Sequence, residues 1–251
     1  MELLMEGFVQ KRQPVVVSNA KLCRNRFESF ADFAARGADV TVTLRAGTPA
    51  LAYVEPDARP RMPASEFVAR HVAGARSGNA EPVYVANHPL SDSDLALLGI
   101  VEPPCFPGQS FDAARLWIGP AGTASHLHID QRDGLACLYL GRKRFWLYPP
   151  SERKRLYTRG RAPARSGVVD PRSPDLVRFP RFAHARHSEV VLEPGEILYL
   201  PAGWGHFVEN IDDTLMVNFW PRKTGFTRWR GQAVSALLRL ARRVTMRFGD
   251  A

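Results

Sequence analysis

Between Arg115 and Trp220 the chain breaks into eight short runs: "ARLWIG", "SHLHID", "LACLYL", "KRFWLY", "EVVL", "EILYL", "HFVEN" and "TLMVNFW". Each is rich in β-branched or aromatic residues and bounded by turn residues. That rhythm predicts an all-β sandwich or barrel and leaves no room for a helical core. "EPGE" (Glu193 to Glu196) puts Pro and Gly at the centre of a type II turn, and Gly141 in "LGRKR" turns the chain in the same way. With 251 residues, 45% of them hydrophobic, the chain can bury one sizeable core, and β barrels of this length form single domains.

The regions flanking the β-run read differently. Upstream, "QPVVVSN", "DVTVTLR" and "PVYVANHPL" are strand candidates. "RFESFADFAARG", ending at Gly37, and "PASEFVARHVAGARSG" carry apolar residues at helical spacing. Downstream, Val234, Leu237, Ala241, Val244 and Phe248 fall at alternating three- and four-residue steps, which predicts a basic helix that docks on the core or forms a homodimer. The expected organisation is an α+β part over residues 1–110, a β barrel over 111–222 and a C-terminal helix over 223–251.

Charge narrows the partners. The net charge is +9, and the stretch from Ser151 to His187 alone holds ten Lys or Arg against three Asp or Glu. Such a connection is either a solvated wrap over the barrel rim or a lid that guides an acidic partner. Cys23, Cys105 and Cys137 are odd in number and lack paired spacing, which argues against a disulfide framework or a cysteine zinc site. No apolar run reaches bilayer length, and a cytoplasmic protein that does not enter membranes is expected.

Two motifs carry chemistry. "GTASHLHIDQRDG" places His126, His128 and Asp130 at every second position, and on one strand all three would project from the same face. A His-x-His pair suits zinc or manganese, whereas a His-x-Asp pair suits a facial triad of two histidines and a carboxylate around non-haem iron. Far downstream, "GEILYLPAGWGHFVEN" places Gly195, Pro201, Gly203, His206 and Asn210 in the spacing G-x5-P-x-G-x2-H-x3-N. The glycines and Pro201 bend the chain at a barrel corner, and His206 then points inward from the next strand. His71, His88, His184 and His187 fall in unpatterned segments and are assigned no chemistry.

The second motif resembles that of the cupin superfamily. Taken in order, "PVYVANHPL", "GTASHLHID", "GLACLYLGRKRFWLYPP", "VDPRSPDLVRFPRFAHA", "PGEILYLPAGWGH" and "VNFWPR" resemble the cupin-like JmjC group of 2-oxoglutarate-dependent oxygenases, and in layout its asparaginyl hydroxylases. The resemblance implies a double-stranded β-helix, or jelly roll, and the metal ligands His128, Asp130 and His206. It also implies Lys143 as the cation for the far carboxylate of 2-oxoglutarate. Phe145 and Leu147 share that lysine's strand face and make it look inward. By the same resemblance Ser125, Tyr84 and Asn218 contact the cosubstrate, and His126 lines the pocket.

The chain departs from the group at two places. Gly134 stands where an asparagine is usual, so one amide contact to the cosubstrate is missing or supplied elsewhere. Trp204-Gly205 replaces a tandem Trp, an exchange expected to open space beside the metal. The implied cofactors are Fe(II), 2-oxoglutarate and O2. The implied reaction is hydroxylation coupled to decarboxylation of 2-oxoglutarate to succinate, with demethylation if the oxidised carbon bears nitrogen. A protein or peptide is the first-choice substrate, with RNA or a small metabolite as alternatives. The rivals are a metal cupin enzyme that does not use 2-oxoglutarate and a basic module that binds RNA or peptide without catalysis.

Overall fold

The computed structural model describes residues 11–20, 22, 26–37, 40–46, 61–72, 83–101, 103, 111–159, 164–221 and 241–243. In chain order the elements begin with β1 (Val15–Val17), α1 (Phe30–Arg36), β2 (Thr41–Ala46), β3 (Arg61–Pro63), α2 (Ala64–His71), β4 (Val83–Leu90) and α3 (Asp92–Leu98). The β-rich part follows with β5 (Phe111–Gly119), β6 (His128–Ile129), β7 (Gly134–Leu140), β8 (Lys143–Tyr148) and β9 (Ala164–Arg165). It closes with β10 (Ser188–Leu192), β11 (Ile197–Leu200), β12 (Gly205–Asn210), β13 (Thr214–Pro221) and β14 (Ala241–Arg243).

These strands form a nine-stranded sheet in the order β14-β1-β11-β7-β13-β5-β4-β2-β3, facing a five-stranded sheet in the order β10-β8-β12-β6-β9. Every named pairing is antiparallel. This is the mostly β architecture that the strand rhythm predicts, in the jelly-roll form that the resemblance implies. β1 and β4, from the N-terminal α+β part, are strands of the large sheet itself.

Period-two alternation sorts side chains into layers. From β7, Leu135, Cys137 and Tyr139 face the helices with Phe33, Phe67 and Leu98, while Ala136 and Leu138 face the barrel interior with Phe145, Leu147, Leu198 and Met216. Both faces of β7 are therefore covered, which is why "LACLYL" reads as an unbroken apolar run. A third cluster, Leu156, Ala164, Val168, Phe179 and Phe182, packs against Ile129, Tyr148 and Phe207 on the outer face of the small sheet. The basic connection is thus anchored by its own apolar residues and not merely draped over the rim.

Local signals account for the turns and helix ends. Gly195 adopts φ +84° in the "EPGE" turn, and the Glu196 N–H donates to the Glu193 carbonyl at 3.0 Å. α1 starts at Ser29, whose hydroxyl accepts from the Asp32 N–H at 3.2 Å. α3 was not expected, although "SDSD" spells its capping box: the Ser91 hydroxyl accepts from the Asp94 N–H and the Asp94 carboxylate accepts from the Ser91 N–H.

Two expectations need correction. The helix expected over 223–251 does not form at Ala241–Arg243, which instead pair with β1 as β14. The reason is that β1 would otherwise end the sheet with unpaired backbone donors and acceptors, and a strand satisfies them where a helix cannot. The rest of that expected helix, and the dimer contact placed on it, lie outside the described residues. The "SHLHID" strand shrinks to His128–Ile129, so His126 does not share a strand face with the other two. Among the described residues no helix is long and apolar enough to cross a membrane.

Candidate metal centre

The small sheet brings two distant histidines side by side. β12 pairs with β6 so that His206 lies opposite His128, and directly opposed residues project from the same face. Their rings sit with centroids 4.1 Å apart. Asp130 follows β6, and its carboxylate lies 3.9 Å from His128 Nε2 and 3.8 Å from His206 Nε2. One ligand atom from each of these three residues falls within 4.8 Å of the others, a grouping that could hold a metal ion.

The backbone fixes which nitrogens are available. His128 Nδ1 is 2.6 Å from the His126 carbonyl and His206 Nδ1 is 3.2 Å from the Trp204 carbonyl. A carbonyl only accepts, so each Nδ1 carries a proton, and Nε2, the nitrogen on the Asp130 side, is the one placed to ligate. Burial, and then the neighbouring His128, push the His206 pKa well below its usual value, partly offset by Asp130; both effects keep its imidazole neutral and fit to ligate.

His126 is turned elsewhere. Its Nε2 donates to the Ser166 carbonyl at 2.9 Å, and burial lowers its pKa. With that nitrogen engaged and the ring outside the donor cluster, the geometry favours the His-x-Asp pair over the His-x-His pair.

Lys143 is 2% exposed on the face it shares with Phe145 and Leu147, inside the barrel. No carboxylate pairs with it among the described residues, and burial pushes its pKa down to about 7. A buried cation without a counter-ion is a cost that an anionic ligand would relieve. The same interior holds a second unmet group, the Asn218 Oδ1, which is buried without a hydrogen bond. Tyr84 is buried with its ring 6.1 Å from that of Trp117. Ser125 accepts from the Val208 N–H at 3.1 Å, which leaves its hydroxyl hydrogen free to donate. The donor set and the unmatched lysine therefore fit a metal and a dicarboxylate.

The two departures have structural readings. A side chain at Gly134 would point at Trp220 Nε1, 3.6 Å away, so an indole N–H borders the place of the missing amide. The expectation that Gly205 opens space beside the metal is corrected. A Cβ there would meet Leu156 Cδ1 at 2.7 Å and Tyr148 Cβ at 3.2 Å, so the vacated space lies on the outer face of the sheet and Leu156 fills it.

Sequence reasoning missed Asp133 and Arg12. Asp133 accepts from the Ala202 N–H at 2.7 Å, from Arg12 Nη2 at 2.9 Å and from the Tyr199 hydroxyl at 3.2 Å. The "D-x-x-D" spacing from Asp130 was visible, but neither Arg12 nor Ala202 lies near it in the sequence.

Known proteins fit this picture. The profile of the cupin-like domain family matches residues 1–224. Lysine-specific demethylase 8 of Xenopus tropicalis is 32% identical over 170 residues, covering 63% of this chain and 37% of the relative. Lysine-specific demethylase JMJ30 of Arabidopsis thaliana is 35% identical over 152 residues, covering 58% and 35%. The human bifunctional peptidase and (3S)-lysyl hydroxylase JMJD7 is 33% identical over 138 residues, covering 45% and 42%. The chain thus spans less than half the length of each of these relatives.

Proposed function

Since the chain belongs to the cupin-like domain family, in its JmjC-type oxygenase branch, we propose that it is an Fe(II)- and 2-oxoglutarate-dependent hydroxylase acting on a protein or peptide side chain. One observation carries the reading: the Nε2 atoms of His128 and His206 and the Asp130 carboxylate converge beside a barrel whose buried cation, Lys143, has no counter-ion among the described residues.

Fe(II), if held by two imidazoles and a carboxylate, would bind a keto acid and activate O2, the oxidant that would couple decarboxylation of 2-oxoglutarate to attack on a C–H bond. In this proposal His128, Asp130 and His206 are the ligands. Lys143 neutralises the far carboxylate, with the Ser125 and Tyr84 hydroxyls and the Asn218 amide as polar contacts. The apolar interior around Phe145, Leu147 and Met216 excludes water from the reacting atoms. The protein-substrate part rests on relatives whose names give lysine demethylation and lysyl hydroxylation. A cytoplasmic setting rests only on three cysteines that are odd in number and lack paired spacing.

Anaerobic addition of Fe(II) and 2-oxoglutarate is expected to give a weak visible charge-transfer band in the wild type, and admission of air is expected to release succinate. No band and no succinate would overturn the proposal.

A further inference from the structure

We propose that Arg115 binds a carboxylate of the primary substrate, so that an acidic side chain lies beside the residue that reacts. The inference rests on the oxygenase reading for where the metal and the keto acid sit.

Alternation places Arg115 on the inner wall of the barrel. On β5, Ala114, Leu116 and Ile118 face the helices, whereas Trp117 packs against the interior cluster. Arg115 shares the face of Trp117. In register it lies between Asn218 of β13, which faces inward as Met216 does, and Pro89 of β4.

Its depth follows from the closed end of the barrel. There Gly119 of β5 lies so close to the Asn210 amide of β12 that a Cβ has no room, and the Thr214 hydroxyl is 2.8 Å from Asn210 Oδ1 and 3.3 Å from the Gly119 carbonyl. Arg115 stands four residues before Gly119 on β5, and His206 stands four before Asn210 on β12. Four residues of strand span about 13 Å, and facing sheets lie about 10 Å apart. His206, Val208 and Asn210 share the inner face of β12, opposite Leu147, Phe145 and Lys143. Arg115 is thus level with the metal ligand His206 on the facing wall, while Lys143 sits at the closed end. The two cations serve two depths, and Arg115 is too far out for the carboxylate that Lys143 neutralises.

The charge of Arg115 has nothing of its own to meet. Its side chain is half-buried, and no carboxylate or hydrogen-bond acceptor meets the guanidinium among the described residues. The titratable neighbour that feels it, His88, has its pKa lowered first by burial, with Asp94 opposing and Arg61 and Arg115 assisting, and so adds no negative charge. With a divalent metal, Asp130, Lys143 and the 2-oxoglutarate dianion in place, positive and negative charges balance and Arg115 is left over. The remaining component, the primary substrate, is the one that can supply the counter-charge. A guanidinium fork matches a planar carboxylate through two parallel hydrogen bonds. A lone half-buried arginine between Pro89 and Asn218 suits one such group better than a nucleic-acid backbone, which is held by an array of exposed cations.

The test uses the full chain loaded with Mn(II) and 2-oxoglutarate. The probe is the capped pentapeptide Gly-Ala-Glu-Ala-Gly, with its Gln counterpart and a single-stranded RNA alongside, and the broadening of peptide proton resonances by Mn(II) reports binding close to the metal. The Glu peptide is expected to bind at least about fivefold tighter than the Gln peptide in the wild type. R115M, which keeps the length of the side chain, is expected to remove the preference while Mn(II) and 2-oxoglutarate affinities stay within about twofold. R115Q carries the same expectation if R115M does not fold. Equal binding of the two peptides, a preference that survives in a folded variant, a loss of tenfold or more in 2-oxoglutarate affinity, or RNA bound through Arg115 in place of the Glu peptide would each overturn the inference. Peptide-independent succinate release by the wild type, read in parallel with Fe(II), reports on the oxygenase reading separately: its absence with the peptide preference intact would count against that reading and leave carboxylate recognition standing.

Discussion

The Asp133 carboxylate accepts a 2.7 Å hydrogen bond from the Ala202 backbone N–H, and this one contact joins the loop after Asp130 to the loop before His206. A second tie lies alongside it, from the Gly203 N–H to the Asp130 carbonyl at 2.9 Å. Arg12 closes the arrangement by donating to both Asp133 and the Ala202 carbonyl, while its own carbonyl accepts from Trp204 Nε1. The separation of two proposed ligands, Asp130 and His206, is thus held in part by Asp133 and Arg12, which are not ligands themselves. D133A is expected to weaken Mn(II) binding roughly tenfold, with D133N recovering part of the loss because it keeps an oxygen for Ala202. A calorimetric Mn(II) titration measures both; unchanged affinity would remove Asp133 from this role.

His126 and His128 are expected to separate cleanly. H128A is expected to abolish the charge-transfer band, because it removes a proposed ligand nitrogen from the cluster with Asp130 and His206. H126A is expected to keep the band and alter turnover, because its ring is tied to Ser166. Loss of metal in H126A would restore the His-x-His alternative.

Lys143 makes a pH-dependent prediction. Its pKa is about 7 in the folded chain and 10.5 ordinarily, so between these values the unfolded chain binds more protons. Stability of the ligand-free protein therefore rises with pH through that window. The cost of the buried charge is fully present below about 7 and gone above about 10.5. Thermal unfolding is expected to show this rise in the wild type and not in K143M. At about pH 8 the binding of 2-oxoglutarate is expected to take up a proton, visible as heats that depend on the buffer, and K143M is expected not to bind it.

Asn210, the last residue of the second motif, is expected to matter for stability and not for metal. Its amide donates to the Thr123 hydroxyl at 2.6 Å and accepts from the Thr214 hydroxyl at 2.8 Å, with all three residues buried. N210A leaves both hydroxyls short of a partner and is expected to cost about 2 kcal/mol. G119A drives a methyl into that amide and is expected to cost about 1–3 kcal/mol. Urea unfolding measures both, and Mn(II) affinity is expected to be unchanged.

Much of this was legible because it is local. Strand alternation, the "EPGE" turn and the helix ending at Gly37 depend on residues within a few positions of one another, and short-range sterics and hydrogen bonds settle them. His128, Asp130, His206 and Lys143 could be singled out through the resemblance to the JmjC group, since spacing alone left His126 open as a ligand. The helix expected across Ala241–Arg243 went astray for the opposite reason: helical periodicity was present, but the open edge of β1 offered backbone partners that no local pattern reveals.

The sequence alone determined a β-rich chain of sandwich or barrel type, because alternation is written residue by residue, and its resemblance to the JmjC group pointed to a histidine-and-carboxylate set with an inward lysine. Only the tertiary structure decided that His126 serves Ser166, that Gly205 makes room for Leu156, that Asp133 holds Ala202, and that Arg165 stands opposite His128. Each of those depends on register between strands or loops far apart in the chain, and a shift of one residue would turn every side chain involved to the other face.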